Sequence, residues 1–541
     1  MRRSTRAFGA LVAGLSLVAA ACGGDDGGGS ATGATIDSNV NEGVKDALGG
    51  GSATTQVGDG SPSTTAMAAP PASLEEWEEL WATERQAIVD RIKENGWGVS
   101  ADGATLTGPE GFTIDLASCP AGWSDTEGLT DTEIRIGQTL PLSGPAAAYG
   151  ELALGADARF DLINAGGGIP DSTGKRRTIT YIAKDDNYDP ARTIPLVDEL
   201  IDSEKVFMVL TLGTAPTMKT YDKLNQRCIP QPLAQTGHPA WGDPVNHPWT
   251  TGEQMAYTTE AILWGSFIEQ HADELRAAKD GKITVAALVA NNDFGKSYDV
   301  GFRAWLEQSP IKDDIEYITE TMEPTAPTIT DPMTTLAASD PEVFIAMTFA
   351  AYCTQSIVEA ANNGLKDATV YAFQPSVCKG QSYAGKDKVG GDGMVSDGWY
   401  MVGGGVKAMD SPAFDDDPWV ANARQELEAA GVDWRVRPSS FLGPRFMWTL
   451  EQALLIAGEL DGGLTRSNFI LAMRAFDMTA PFLLPGAQFN LNGNADAYLT
   501  EASEFSVYNA ATQSYDIVTD VIDLSGRSKN CAFNQSTATC E

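Results

Sequence analysis

From about residue 132 onward, short runs of large apolar residues alternate with longer stretches whose apolar positions recur at helical spacing. Residues 134–140, 178–183 and 206–211 read as strands, and 150–164, 190–203 and 217–226 as the helices that follow them. A second series opens at 283–289 and continues at 343–347 and 370–373. Unbroken apolar runs separated by helices belong to parallel sheets covered on both faces. Two such series about 70 residues apart predict an α/β protein of two doubly wound lobes. A late helix at 446–460 and a strand-rich segment at 489–507 complete the pattern. Ligands of such sheets lie beyond the carboxyl ends of the strands, so the loops after strands are where binding residues are expected.

The first 131 residues follow another pattern. Residues 23–72 are rich in Gly, Ser, Thr, Ala and Pro with few large apolar side chains, which predicts a flexible tether over 22–72. Ser73-Leu-Glu-Glu76 has the form of a capping box, and Leu74, Trp77, Trp81, Ile88 and Ile92 share one helical face that ends at Gly96. Such a stripe docks a helix on the main body; ligand or partner binding by the two tryptophans is the alternative. Short apolar runs around Asp102-Gly103 and Gly108-Pro109 predict a hairpin over 97–118, so that 73–131 forms a helix-and-hairpin extension. Before all of this, Arg2, Arg3 and Arg6 precede an apolar run at 7–21, marking residues 1–21 as a secretory signal peptide. The ending Leu17-Val-Ala-Ala-Ala-Cys22 resembles the lipobox of bacterial lipoproteins. That resemblance implies diacylation of Cys22 and export to the outer face of the cell membrane.

Charge and cysteine usage narrow the partners. A net charge of −36 over 541 residues repels phosphate backbones and anionic head groups, which argues against nucleic acid. No run after the leader is long enough to cross a membrane, so membrane contact is expected through the lipid alone. Beyond Cys22 there are six cysteines, an even number suited to an oxidising compartment. Six cysteines allow 15 pairings. The neighbours Cys531 and Cys540 would close a small loop within 526–541, and Cys353 and Cys378 would pair if their segments end on adjacent strands. Cys119 and Cys228 then remain. With three histidines and no CxxC spacing, neither a metal nor a cofactor is expected. Phe294-Gly-Lys-Ser297 ends like a phosphate loop, but Ala290 stands where its first glycine would fall. G-x-S-x-G is absent, and no catalytic residues are assigned.

Several segments in order carry a family likeness. Gly137-Gln-Thr-Leu-Pro-Leu-Ser-Gly-Pro-Ala-Ala-Ala-Tyr-Gly150 is followed by Ile163-Asn-Ala-Gly-Gly-Gly-Ile169 and Asp185-Asp-Asn-Tyr-Asp-Pro190. Leu212-Gly-Thr-Ala-Pro-Thr217, Asn292-Asp-Phe-Gly295 and residues 498–508 come next. Together, over roughly 130–525, they resemble the leucine/isoleucine/valine-type substrate-binding proteins of ABC importers, which have the type I periplasmic binding fold. The resemblance implies one lobe from 132–252 plus 401–487 and another from 253–400 plus 488–525. A three-segment hinge near residues 252, 400 and 487 would join them. It also implies a monomer that captures a small molecule and delivers it to permease subunits.

Laid on this chain, the family's site falls on named positions. Leu212, Gly213 and Thr214 would present donors at a helix N-terminus to an acceptor group, with Ala234, Gln235 and Thr236 as a second wall. Tyr149 takes the place of the aromatic over the ligand; Phe294, Phe349 and Ser376 face it from the opposite lobe. Phenylalanine where the family often has tyrosine makes that wall drier. Amino-acid binders of the family hold the ligand's ammonium with an acid at the turn where this chain has Phe373-Gln-Pro-Ser376. A buried ammonium without a counter-charge is costly, so an amide, a carboxylate without an amine, or an apolar or aromatic acid fits at least as well as leucine or valine. A ligand-sensing surface lipoprotein is the alternative role, and a surface enzyme a third.

Overall fold

The computed structural model describes residues 36–48, 70–279 and 281–541; Cys22, the signal peptide and most of the predicted tether lie outside the described residues. One part of that tether is not a tether. Val40 and Val44 are buried on one face of helix α1 (Ser38–Leu48), and Ile36, just ahead of the helix, is buried with them. The helix is fixed to residues 257–270 by Lys45 with Glu269 at 3.0 Å and by Gln270 Nε2 donating to the Leu48 carbonyl at 2.6 Å. Composition averaged over 50 residues hid a three-residue apolar stripe, which is enough to dock two turns.

Helix α2 (Leu74–Glu94) starts as its capping box predicts, with Ser73 Oγ accepting the Glu76 amide at 3.2 Å. Its tryptophans dock rather than face solvent. Trp77 stacks on Trp81, whose ring meets Trp448 at 5.2 Å and whose Nε1 donates to the Thr479 carbonyl at 3.0 Å. Leu74 is left exposed. Strands β1 (Gly98–Val99), β2 (Thr105–Thr107) and β3 (Thr113–Asp115) form a small antiparallel sheet where a hairpin was predicted.

The first large sheet centres on β4 (Glu133–Leu140), which feeds helix α3 (Leu152–Ala165). The edge strand β5 (Ile169–Pro170) and the parallel β6 (Arg176–Asp185) lie on one side, and β6 leads to helix α4 (Pro190–Asp202). The parallel strand β7 (Met208–Thr211) lies on the other. Residues 217–226 do not form one helix: α5 (Thr214–Met218) and α6 (Tyr221–Gln226) are separate turns. Thr220 leaves helical backbone at φ −126°, and its hydroxyl donates to the Pro216 and Thr217 carbonyls. Strands β8 (Gln231–Ala234) and β9 (Thr250–Gly252) extend this side.

After helix α7 (Tyr257–Gln270) the chain builds the second sheet from β10 (Ile283–Ala290), helix α8 (Asp293–Gln308), β11 (Ile315–Met322), β12 (Val343–Met347), helix α9 (Ala351–Asn362), β13 (Tyr371–Gln374) and β14 (Tyr400–Val402). Those strands pair in parallel, in the order β11-β10-β12-β13-β14. The chain then returns to the first core with helices α10 (Pro418–Ala429), α11 (Leu442–Glu459) and α12 (Arg466–Arg474). It finally adds the antiparallel strands β15 (Phe505–Asn509) and β16 (Ser514–Ile517) to the second sheet. Phe489, Leu491 and Leu499 pack in the first core while Phe505 and Tyr508 pack in the second. The third crossing therefore falls at about 500–504 and not near 487. All three disulfides expected from the sequence are present: Cys119–Cys228, Cys353–Cys378 and Cys531–Cys540. No helix among the described residues is long and apolar enough to cross a membrane.

Candidate functional site

The turn after β6 sets one wall of the site. Asp185 takes the amides of Leu142, Ser143 and Asn187, which ties the loop after β4 to this turn. Asp186 is buried, takes the Tyr188 amide at 2.9 Å and the Thr193 hydroxyl at 3.0 Å, and is pushed up to about 6 by that burial. Asp189 caps α4 with Pro190 in its first turn. Asn187 and Tyr188 are held at φ +55° and +59°, a left-handed conformation that turns the Tyr188 ring inward. The ring stacks on Phe349 at 5.3 Å and lies so close to Gly213, at φ +95°, that any Cβ there would collide with it.

Between the two sheets lies a cavity of about 150 Å³. Its walls include Tyr149, Leu212, Gly213, Thr214, Gln235, Phe294, Phe349 and Ser376. Ala234 and Thr236 are not in the lining. Ala234 packs with Met218, Tyr221, Ala240 and Trp241, while Thr236 stands behind Thr214, their hydroxyls 2.7 Å apart. Two of the donors expected at the helix start are also engaged. The Gly213 amide reaches the Gln235 carbonyl at 3.4 Å, and the Thr214 hydroxyl is held by that of Thr236. Gln235 is different: its Oε1 accepts from Gln138 at 2.7 Å, which leaves its buried Nε2 without a partner among the described residues. Gln254 Oε1, also in the lining, is likewise unpartnered.

Tyr149 spans the cavity. Its hydroxyl accepts the Ala350 amide at 2.9 Å and donates to the Val377 carbonyl at 3.4 Å. Ala350, at φ +50°, is in a conformation that L-residues rarely adopt, and its amide is the one that meets Tyr149. Burial raises the Tyr149 hydroxyl well above the usual phenol range, so it stays protonated and can donate.

Sequence reasoning missed the cations. Lys379, Lys407 and Arg445 all line the cavity. Each is anchored from behind: Lys379 by Glu504, Lys407 by Asp417 at 2.7 Å, and Arg445 by Glu253 at 2.8 Å. The three carboxylates are not in the lining, so the cavity wall carries three cationic side chains, each paired from behind. Asp410 is the one acid in that lining; burial raises it, and it takes the Gln381 amide at 2.7 Å.

The acid missing from the turn at 373–376 has a spatial counterpart behind it. Glu260 on α7 takes the Ser376 amide at 3.0 Å and its hydroxyl at 2.6 Å, without entering the lining. Burial pushes Glu260 up to about 7 from 4.5. A carboxyl whose folded value is raised binds its proton more tightly than in the unfolded chain, so its contribution falls as pH rises from 4.5 through 7. Glu260→Gln is accordingly expected to lose less thermal stability than the parent between pH 5 and pH 7. Melting curves at pH 5, 6 and 7 check this, and parallel slopes for the two proteins would refute it.

Comparison with known proteins comes to the same fold. Residues 133–503 match the family model for periplasmic binding proteins. No curated protein sequence matches the chain. Among solved structures, a branched-chain amino acid ABC transporter protein from Thermus thermophilus with bound valine superposes with a TM-score of 0.59. The two are 14% identical, over 73% of this chain and 97% of that one. A fatty acid ABC transporter substrate-binding protein from Thermomonospora curvata gives 0.56 at 17% identity, over 74% and 95%. A solute-binding protein from R. palustris in complex with benzoate gives 0.54 at 16%, over 72% and 96%.

Proposed function

This chain belongs to the periplasmic binding protein family, and on that premise we propose that it captures a small organic anion with an apolar or aromatic body and hands it to an ABC permease. The observation that carries this reading is the basic lining, Lys379, Lys407 and Arg445, set against the aromatic wall of Tyr149, Tyr188, Phe294 and Phe349. The unpartnered Gln235 Nε2 supplies a further donor suited to a carboxylate oxygen. Residues 132–252 and 403–499 act as one lobe, and 257–400 and 505–525 as the other, with Tyr149 bridging them when they close. A void of 150 Å³ matches the size known to hold benzene. Cys22 carries the lipid, the residues after it provide reach, and the protein works as a monomer at the outer face of the membrane.

Thermal shift with benzoate, phenylacetate, octanoate, benzamide and leucine tests the ligand class. A ligand at 100 times its dissociation constant adds about 2.7 kcal/mol, so the correct class separates clearly from the others. Benzoate, phenylacetate or octanoate should stabilise more than benzamide or leucine, and Gln235→Ala should weaken the best of them about tenfold, equivalent to roughly 1.4 kcal/mol. Preference for leucine or benzamide over every carboxylate would overturn the anion reading.

A further inference from the structure

A second cavity, of about 220 Å³, lies on the other side of the segments that wall the first. Helix α8 separates the two: Phe294 faces the inter-sheet cavity, whereas Ser297 and Ala304, about one and three turns along, face the second. Likewise Gln235 and Tyr257 line the first, His238 and Ile262 the second. The remaining walls come from the chain ends. Ile36 and Val40 precede the family-matched region, and Phe533 and Cys540 follow it. The segments that this chain adds to the family body therefore close a chamber against it, braced where the Lys529 amide meets Asp37 at 2.7 Å.

The chemistry of the chamber is specific. His238 is 4% exposed, and burial pushes it down to about 3, so its ring is neutral. Its Nδ1 accepts the Ala240 amide at 3.2 Å, which puts the proton on Nε2. That Nε2 has no partner among the described residues and belongs to a ring in the cavity wall. Ser297, 7% exposed and in the same wall, has a hydroxyl that is also unpartnered. Around these two donors the wall is apolar: Ile36, Val40, Ile262 and Ala304 are each less than 10% exposed. Of the charged residues in the chamber's lining, Lys296, Lys529 and Glu541 sit at its exposed rim, and Asp37 and Asp293 are half-buried.

We propose that this chamber is a second ligand site, which takes a small uncharged and mainly apolar molecule carrying one hydrogen-bond acceptor, such as a ketone or ester oxygen. The acceptor meets His238 Nε2–H, and the apolar body lies between α8 and the C-terminal loop. Neutral histidine and a fully buried wall that carries no charged side chain disfavour an anion, and the two half-buried carboxylates, Asp37 and Asp293, add to that, which distinguishes this site from the inter-sheet cavity with its three cations. Its existence does not depend on what the first cavity binds.

The test uses 4-bromoacetophenone, whose bromine can be located by anomalous scattering in crystals of the full chain. The expected result is density between His238 and α8, with the ketone oxygen within hydrogen-bond distance of Nε2. In solution, Ala304→Trp fills the chamber and should weaken binding of this probe at least tenfold, and Ser297→Ala should weaken it less, with folding of both checked by melting. Density only in the inter-sheet cavity, density from the chain itself filling the chamber, or no binding at millimolar probe would each overturn the proposal. Unchanged affinity in a folded Ala304→Trp protein would do so as well.

Discussion

Replacing Arg445 with methionine is expected to lower the unfolding free energy by about 3–5 kcal/mol. Arg445 is 7% exposed, and its partner Glu253 is wholly buried. A single good contact, Nε to Oε1 at 2.8 Å, joins them, and the guanidinium also lies over the rings of Phe446 and Phe482. Methionine keeps much of the volume but leaves the Glu253 carboxylate in the interior with no counter-charge. Burial already raises Glu253, and Arg445 is the main influence holding it down. In the variant the folded-state value rises further, so the protonated form contributes stability that is lost as pH climbs through that raised value. The deficit should thus be smaller at pH 5 than at pH 8. Arg445→Met with Glu253→Leu removes both charges and should recover most of the loss, since an apolar pair of similar volume is often no worse than a buried ion pair. Urea titrations at the two pH values measure all of this. A single variant as stable as the parent, or a double variant less stable than the single, would show that the pair is not what holds α11 against the segment after β9.

How far these features could be read from the chain depended on how local their causes are. Strands β4, β7, β10 and β12 were legible because a run of mostly buried side chains is a property of four to eight consecutive residues. The cap at Ser73 was legible for the same reason. Helix α1 was not, because three apolar residues were averaged into a stretch of glycine and serine. The third crossing was misplaced because 489–499 packs in the first core without regular secondary structure, so no periodicity marks which lobe it joins.

In the site, most residues of the motif-bearing loops line one cavity, but the charged side chains in its wall were not foreseen. Lys379 and Lys407 become buried cations only through Glu504 and Asp417, and nothing in the linear sequence links lysine 379 to an acid 125 residues away. Arg445 did carry a signal: it is the single cation in an 18-residue helix that is otherwise mostly apolar. Tyr188 lay inside a recognised turn, yet its inward ring follows from two successive residues at positive φ, which the residue types alone do not specify. Glu260 stands 116 residues before the serine it holds, so the search for an acid near residue 376 could not find it.

Removing the Cys119–Cys228 bridge by a double serine substitution is the second large effect, expected at about 4–5 kcal/mol because it opens a loop of roughly 100 residues. The two cysteines are 109 residues apart, so the bridge restricts the unfolded chain more than either of the others, which span 25 and 9 residues. The same chain-entropy argument gives about 3.5 kcal/mol for Cys353–Cys378 and about 2.6 kcal/mol for Cys531–Cys540. The first bridge fastens the N-terminal sheet to the turn before β8, where Trp123 Nε1 also donates to the Cys228 carbonyl at 2.8 Å. None of those residues lines the inter-sheet cavity, so the double variant should retain ligand affinity while folded. Cys378 lies between two cavity residues, Val377 and Lys379, and its loss should cost affinity as well as stability. Unfolding of the three double variants under identical conditions gives the ranking, and binding of the best carboxylate gives the second axis. If stability losses did not follow loop length, restriction of the unfolded chain would not be what these bridges supply. If affinity fell equally in all three, the cavity would owe its shape to the whole disulfide framework and not to the segment around Cys378.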